Sequence, residues 1–334
     1  MKTAIYITAL VFCFSFTGNT QDPHFSQWWS APLNISPART LQADADLRIM
    51  GNMRQQWINP ASPYYTGSLS VETSVLSKKT GYNKLALGLG FMHDNTLEGI
   101  LKSNYVSTTI AYHQLFGDDL THSLSLGFGM TNGNRTLDFS RLYFATQFSS
   151  NGFDLNLPSG ETALSNMKSY WSVSTGLTYG YTTATTRLDI GASAYHLNEP
   201  QQTFLKDPFQ VVPARYVGYI FFDKTLANDQ VLNTVFFFQQ QARHNYSMIG
   251  VSYGFPLQKE YRFLNLGLLY RYNDALIPHV SLLLGNKQIG LSYDATWSKL
   301  NAAAILPQVF ELSFSWRTRY PEKDKMKCPH SPFR

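Results

Sequence analysis

Large apolar residues recur at every second position through long stretches of this chain. In HSLSLGFGM, Leu124, Leu126, Phe128 and Met130 fall on one face, and Ser123, Ser125, Gly127 and Gly129 on the other. WSVSTGLTYGY repeats the scheme, with Trp171, Val173, Thr175, Leu177, Tyr179 and Tyr181 opposite Ser172, Ser174, Gly176, Thr178 and Gly180. Near the end, Phe310, Leu312, Phe314 and Trp316 oppose Glu311, Ser313 and Ser315. Alternation over such lengths predicts strands with one oily and one polar face. About fourteen are predicted, centred near Arg48, Val71, Leu87, Thr109, Leu126, Leu177, Ile190, Tyr219, Phe236, Val251, Leu268, Leu282, Leu291 and Leu312.

The solvent that meets the oily face decides the fold. In a soluble sandwich it packs inward; in an outer-membrane barrel it faces lipid, and the lumen side is polar or small. Three features favour an all-β transmembrane antiparallel barrel. The strands are near the 9–11 residues that a tilted membrane strand needs. Aromatics crowd their ends at Trp57, Tyr64, Tyr65, Tyr105, Tyr170, Trp171, Tyr270, Tyr272, Trp297 and Trp316, where interfacial girdles sit. The opposite face carries Gly, Ser, Thr and Asn. With both termini periplasmic, the longest gaps, 137–169 and 198–214, fall outside the cell, and the short ones fall at periplasmic turns.

Composition agrees. The chain is rich in Phe, Tyr and Gly, and only 15% of its residues are charged. Residues 1–20 read as a signal peptide, with Lys2 ahead of an apolar run too short to span a bilayer. Phe12 before Cys13 argues against lipidation. Cys13 leaves with the leader, so Cys328 remains alone and an intramolecular disulfide is excluded. The net charge of +5 is concentrated beyond Trp316, where Arg317, Arg319, Lys323, Lys325, Lys327 and Arg334 face only Glu322 and Asp324. A basic tail of this kind is no signature of nucleic-acid binding. The predicted organisation is a signal peptide (1–20), a periplasmic or plug segment (21–42), a barrel (43–317) and a periplasmic basic tail (318–334), read as a solvated extension.

The chemistry search yields little. None of the eight histidines pairs with another at i+2 or i+4. Cys328 and His330 are two ligands short of a zinc site. Gly88-Leu89-Gly90 and Gly127-Phe128-Gly129 lack the third glycine of a dinucleotide loop and read as small lumen-facing positions. His113, His122 and His196 are the candidates for hydrolysis, but no motif links them to a serine. The chain is read as no enzyme, with no cofactor or metal. Arg48, Arg54 and Arg271 are placed in the lumen against Asp44, Asp46, Glu72 and Asp189, as interior filling or as a gate.

One segment fits no strand: QDPHFSQWWSAPLNISPA, from Gln21 to Ala38. Pro23, Pro32 and Pro37 keep it extended and non-helical. Phe25, Trp28 and Trp29 are too apolar for water, each worth about 1.5–3 kcal/mol when buried. This opening, followed by PLNISPA and ADADLRIMGNMRQQW, resembles the PorP/SprF family of Bacteroidetes outer-membrane proteins. Gln21, Asp22, Pro23, Phe25, Ser26 and Gln27 match the first family element. Pro37 and Ala38 match the second, with Ser36 in place of its asparagine, and Arg54, Gln56 and Trp57 match the third.

The resemblance implies a non-enzymatic barrel serving the type IX secretion system. PorP-like members work with the periplasmic ring; SprF-like members serve export and surface anchoring of one large adhesin with a C-terminal sorting domain, often a gliding adhesin. The SprF-like role is preferred, and the alternative is a diffusion porin or hydrophobic-solute channel. Expected partners are that adhesin, components of the translocon or periplasmic ring, and outer-membrane lipid, with no nucleic acid. Asp22, Pro23, Phe25, Ser26, Gln27, Trp28 and Trp29 form the candidate plug or partner-binding strip, and packing against the periplasmic rim stands beside both.

Overall fold

The structure, a computed structural model, describes residues 21–42, 45–57, 63–77, 83–117, 119–150, 152–154, 156–160, 168–202, 210–257, 262–297, 308–318 and 333. The strands are β1 (Leu47–Gln56), β2 (Tyr64–Ser77), β3 (Asn83–Thr96), β4 (Leu101–Phe116), β5 (His122–Leu137), β6 (Phe148–Ser149), β7 (Gly152–Phe153) and β8 (Tyr170–Thr182). They continue with β9 (Thr186–Tyr195), β10 (Arg215–Thr225), β11 (Val231–Gln241), β12 (His244–Pro256), β13 (Arg262–Arg271), β14 (Ala275–Leu284), β15 (Lys287–Thr296) and β16 (Gln308–Arg317). All but β6 and β7, a small separate hairpin, form one closed antiparallel barrel in which β1 pairs with β16. The fourteen barrel strands agree with the periodicity. Closure leaves no sheet edge, so the wall satisfies its own backbone in hydrocarbon.

Alternation sorts the wall as the sequence pattern predicts. Leu124, Leu126, Phe128 and Met130 are exposed, as are Leu87, Leu89, Phe91, Val173, Leu177, Ile249, Val251, Leu266 and Leu268. Together they make an outward apolar band. Among the expected girdle residues, Tyr65, Trp171, Tyr272 and Trp297 are exposed. Tyr105 and Tyr170 are not: their register points them inward, where they pack on Val212.

The connections at the end where β1 begins are short, as at Gly285-Asn286, where Gly285 adopts φ 62°. The described residues of the β5–β8 and β9–β10 connections lie at the opposite, far end.

The interior departs from the expected polar lumen. Val217, Tyr219 and Phe221 of β10, Val235 and Phe237 of β11, Met248 of β12, Leu269 of β13 and Ile277 of β14 point inward, buried against Trp28, Trp29 and Ile35. The lumen is therefore two-sided, with small and polar residues on β2–β5 and an apolar wall on β10–β14. The physical reason is that protein rather than water faces the apolar half. The one described residue beyond Thr318, Phe333, also lies in that cluster, fully buried with its ring 4.6 Å from Trp29. A solvated extension does not describe Phe333; Cys328 and His330 lie outside the described residues.

Leu126→Arg, which places a charge in the middle of the outward band, is expected to destabilise the barrel by about 2–4 kcal/mol. Equilibrium urea unfolding in lipid vesicles measures it, and an unchanged midpoint would contradict the assignment of this face to lipid.

Candidate functional site

Residues 22–42 run through the lumen from the far end to the end where β1 begins. They carry three short 3-10 turns, Trp28–Ser30, Pro32–Asn34 and Pro37–Arg39. A path of this kind leaves amides and carbonyls that no neighbouring strand can satisfy, so side chains of the wall must do so.

At the far end, the Asp22 carboxylate lies 2.8 Å from His196 Nε2 and 3.3 Å from Arg215 Nε, and its backbone N–H donates to Gln241 Oε1 at 2.9 Å. Burial alone would raise the Asp22 pKa, but His196 and Arg215 beside the carboxylate hold it well below the usual range. Arg215 also donates to the Asn34 carbonyl at 3.1 Å and lies over the Tyr195 ring. The Pro23 carbonyl accepts from Asn34 Nδ2 at 3.3 Å.

In the far halves of β15 and β16, Ser26 N–H and Gln27 N–H donate to the two oxygens of Glu311, at 2.5 and 2.7 Å. Arg54 donates to Glu311 at 2.5 Å and to Ser26 Oγ at 2.7 Å, with Asp294 at 3.4 Å. Arg271 closes the knot on Asp294, whose carboxylate accepts from Ser26 Oγ at 2.8 Å. With its amide oxygen turned inward, Gln56 accepts from Arg54 at 2.6 and 2.7 Å. Gln27 spans β1, β15 and β16 through Asn52, Ser292 and Ser313. Trp28 stacks obliquely on Phe221 and Phe237, with ring centroids 4.9 and 4.6 Å apart. Phe25, Trp28 and Trp29 are all buried.

The segment doubles back to the far end, where Ser193 and Tyr195 donate to the carbonyls of Ile35 and Leu33, at 2.5 and 2.7 Å. The Ser36 hydroxyl caps the turn that Pro37 begins, accepting from Ala38 N–H at 3.2 Å. Serine and asparagine cap such turns equally well, so the departure from the family pattern at Ser36 is chemically conservative. Inward glycines make room for this stretch: a Cβ at Gly127 would strike the Pro37–Ala38 backbone, and one at Gly176 the Ser36 hydroxyl. At the end where β1 begins, Leu41 N–H donates to Glu72 at 2.5 Å, Arg48 bridges Glu72 and the Arg39 carbonyl, and His113 Nε2 lies 2.8 Å from the Thr40 carbonyl.

A family model for the type IX secretion system membrane protein PorP/SprF matches residues 17–316. The chain belongs to the PorP/SprF family. No curated protein matches it. Among solved structures, the Ralstonia pickettii toluene transporter TbuX aligns over 90% of this chain and 96% of its own, at 9% identity and a TM-score of 0.50. A TodX ΔS2S3 mutant, a monoaromatic hydrocarbon channel, aligns over 87% and 94%, at 9% identity and a TM-score of 0.52. Identity this low speaks for the fold alone, an outer-membrane β-barrel.

In this PorP/SprF barrel the first and third motif elements meet in space. Ser26 and Gln27 of the first, and Arg54 and Gln56 of the third, meet at one ionic knot, while Ser36, Pro37 and Ala38 of the second fill the glycine-lined seat. Trp57, with φ 58°, ends β1 with its ring 4.6 Å from Tyr64. The sequence reading missed Asp294 and Glu311, which take Arg54 and Arg271; it paired these arginines with other acids. Arg48 does pair with Glu72. Asp189 lies 3.8 Å from Arg187, Asp46 accepts from Ser74 Oγ, and Asp44 is outside the described residues.

A serine and a histidine do meet: Ser172 Oγ lies 2.7 Å from His196 Nδ1, completing a Ser172–His196–Asp22 chain. All three are buried or nearly so, and the Asp22 carboxylate is shared with Arg215 and Gln241. The cavity beside Asp22 and His196 is about 60 Å3 and does not reach Ser172. That volume holds a few waters. The chain ties the segment to the wall, and this membrane-protein family is non-enzymatic.

Glu311→Ala leaves Arg54 without its closest counter-charge and two amides without acceptors. A loss of about 3–5 kcal/mol is expected, with residues 21–42 becoming susceptible to protease. Wild-type protection would show that the knot does not hold the segment. For Asp22, a depressed folded pKa means that its contribution is complete above the unfolded value of about 3.9 and fades only as pH falls through the lower folded value. Protease protection at the far end is therefore expected to be equal at pH 7 and pH 5; release already at pH 5 would refute the assignment.

Proposed function

We propose that this barrel is the outer-membrane partner of a large secreted adhesin, needed for its export by the type IX system, its surface anchoring, or both, in the SprF-like manner. The observation that carries the reading is the filled lumen. Residues 22–42 occupy the barrel from its far end to the end where β1 begins, tied through Asp22, through Ser26 and Gln27, and through Leu41, so the family's membrane protein serves as a scaffold rather than a conduit. Phe25, Trp28 and Trp29 face the wall in this state, which favours the plug among the roles weighed for the segment. The end where β1 begins and β16 finishes is assigned to the periplasm because the short connections lie there; the Asp22 end of the segment then sits at the outer end of the lumen, against the expectation of a periplasmic N-terminus.

Purified protein in a planar bilayer is expected to be electrically silent, and a variant lacking residues 21–42 to conduct. Deleting the gene is expected to strip one large adhesin from the cell surface while permeability to small antibiotics stays unchanged. A steady open current from the intact protein would favour the diffusion porin, and an adhesin that stays anchored in the deletion strain would end the scaffold reading.

A further inference from the structure

The C-terminal side of the chain meets the N-terminal segment inside the barrel. β16 finishes at the periplasmic end, where Thr318 N–H donates to the Leu47 carbonyl at 2.9 Å. Phe333 nevertheless lies in the lumen, fully buried, with its ring 4.6 Å from Trp29 and 6.0 Å from His279. From Leu284, at the periplasmic end of β14, to His279 the strand climbs roughly 17 Å, or about 13 Å of depth at the usual barrel tilt. The chain from Thr318 to Phe333 can span up to roughly 50 Å, so it reaches this depth with length to spare.

Hydrogen bonds tie the N-terminal segment to the wall on both sides of this point, but not at it. Asn52 Nδ2 donates to the Gln27 carbonyl at 3.2 Å, and the Tyr195 hydroxyl to the Leu33 carbonyl at 2.7 Å. Between them, Ser30 N–H and Ala31 N–H donate within the segment, to the Gln27 and Trp28 carbonyls, at 2.9 and 3.2 Å. The Trp28 indole N–H has no acceptor among the described residues. Packing therefore holds the stretch from Trp28 to Pro32.

The two indoles are packed differently. Phe221 and Phe237 of the wall receive Trp28. Among the described residues Trp29 meets one ring of the wall, His279, edge-on at 5.4 Å, and its nearest ring is Phe333. Trp29 is still only 2% exposed. An indole is the largest apolar side chain the segment carries, and its hold on the lumen scales with the surface that is covered. Phe333 supplies that cover from the C-terminal side.

We propose that Phe333 is a latch on the plug: seated against Trp29, it holds in the lumen the stretch that no wall hydrogen bond secures. Withdrawing Phe333 uncovers Trp29 and frees Trp28–Pro32, so the plug is controlled from the C-terminal side of the chain as well as by the wall. The latch goes beyond the scaffold reading, because it acts whichever secreted protein the barrel serves.

Benzoyl-phenylalanine at position 333 of the full chain keeps an aromatic side chain in the seat. In assembled barrel, recognised by heat-modifiable gel migration, its photoadduct is expected within the same chain, on the peptide carrying Trp29 or the one carrying His279. In Phe333→Ala, assembled to the same extent, hydrogen exchange at the Ser30 and Ala31 amides is expected to rise at least about 100-fold, as deletion of a buried phenyl ring implies. Strand amides such as those of Leu126 and Val251 keep wild-type rates. Trp29→Ala produces the same rise, and the double variant no more than either single change, because the two rings form one contact.

Adducts at 333 with lipid or with another protein, and no adduct within the chain, would overturn the inference. So would wild-type exchange at Ser30 and Ala31 in assembled Phe333→Ala; if that variant does not assemble, the photoadduct decides. Surface display of the secreted protein in a barrel-deleted strain tests the scaffold reading separately, and neither result settles the other.

Discussion

An irregular stretch of backbone held at membrane depth must find a partner for each of its amides and carbonyls inside the protein. That requirement governs the residues on the inner wall. Glu311 and Glu72 are buried carboxylates whose oxygens accept backbone N–H groups from Ser26, Gln27 and Leu41. Tyr195, Ser193, Arg215, Arg48 and Asn52 donate to carbonyls of the same segment. Each buried carboxylate in turn needs a cation, and Arg54, Arg271 and Arg48 supply it. The ionic network is thus a consequence of threading an unpaired chain through the barrel.

The two halves of the lumen do different jobs. On β2–β5 and β8, glycine and small polar residues let the Ser36–Thr40 stretch approach the wall closely, so that hydroxyls and amides meet directly. On β10–β14, aromatic and aliphatic residues receive Trp28, Trp29 and Ile35. Reversing the segment would set indoles against serines and strand the carboxylates. The apolar half supplies burial, and the polar half fixes direction and register.

How much of this was legible follows from range. The outward band is a local property, repeated every second residue, and the sequence displays it strand by strand. The segment could be seen to need burial, because Phe25, Trp28 and Trp29 stand among prolines. Its destination could not be seen, since Ser26 and Glu311 are 285 positions apart and no short-range pattern couples them. One local signal did mark the apolar half. In Val235-Phe236-Phe237-Phe238 the alternation lapses, as expected of a strand with hydrocarbon on one side and a packed interior on the other. Tyr105 and Tyr170 went astray for a related reason: an aromatic at a strand end belongs to a girdle only if its parity faces outward.

A packed lumen also changes what the rim can do. Recognition surfaces work best when the elements beneath them are rigid and the contacting side chains are already placed. A hollow barrel of this width would have only its wall to resist deformation, whereas here residues 22–42 brace β1, β9, β10, β11, β15 and β16 against one another through charged and polar contacts. The long strands β4 and β5 then rise past the lipid band as a stiff extension of that braced wall, and the hairpin they carry keeps its rings in place with its own hydrogen bonds. With its lumen filled, the barrel has its ends rather than its middle to offer another molecule.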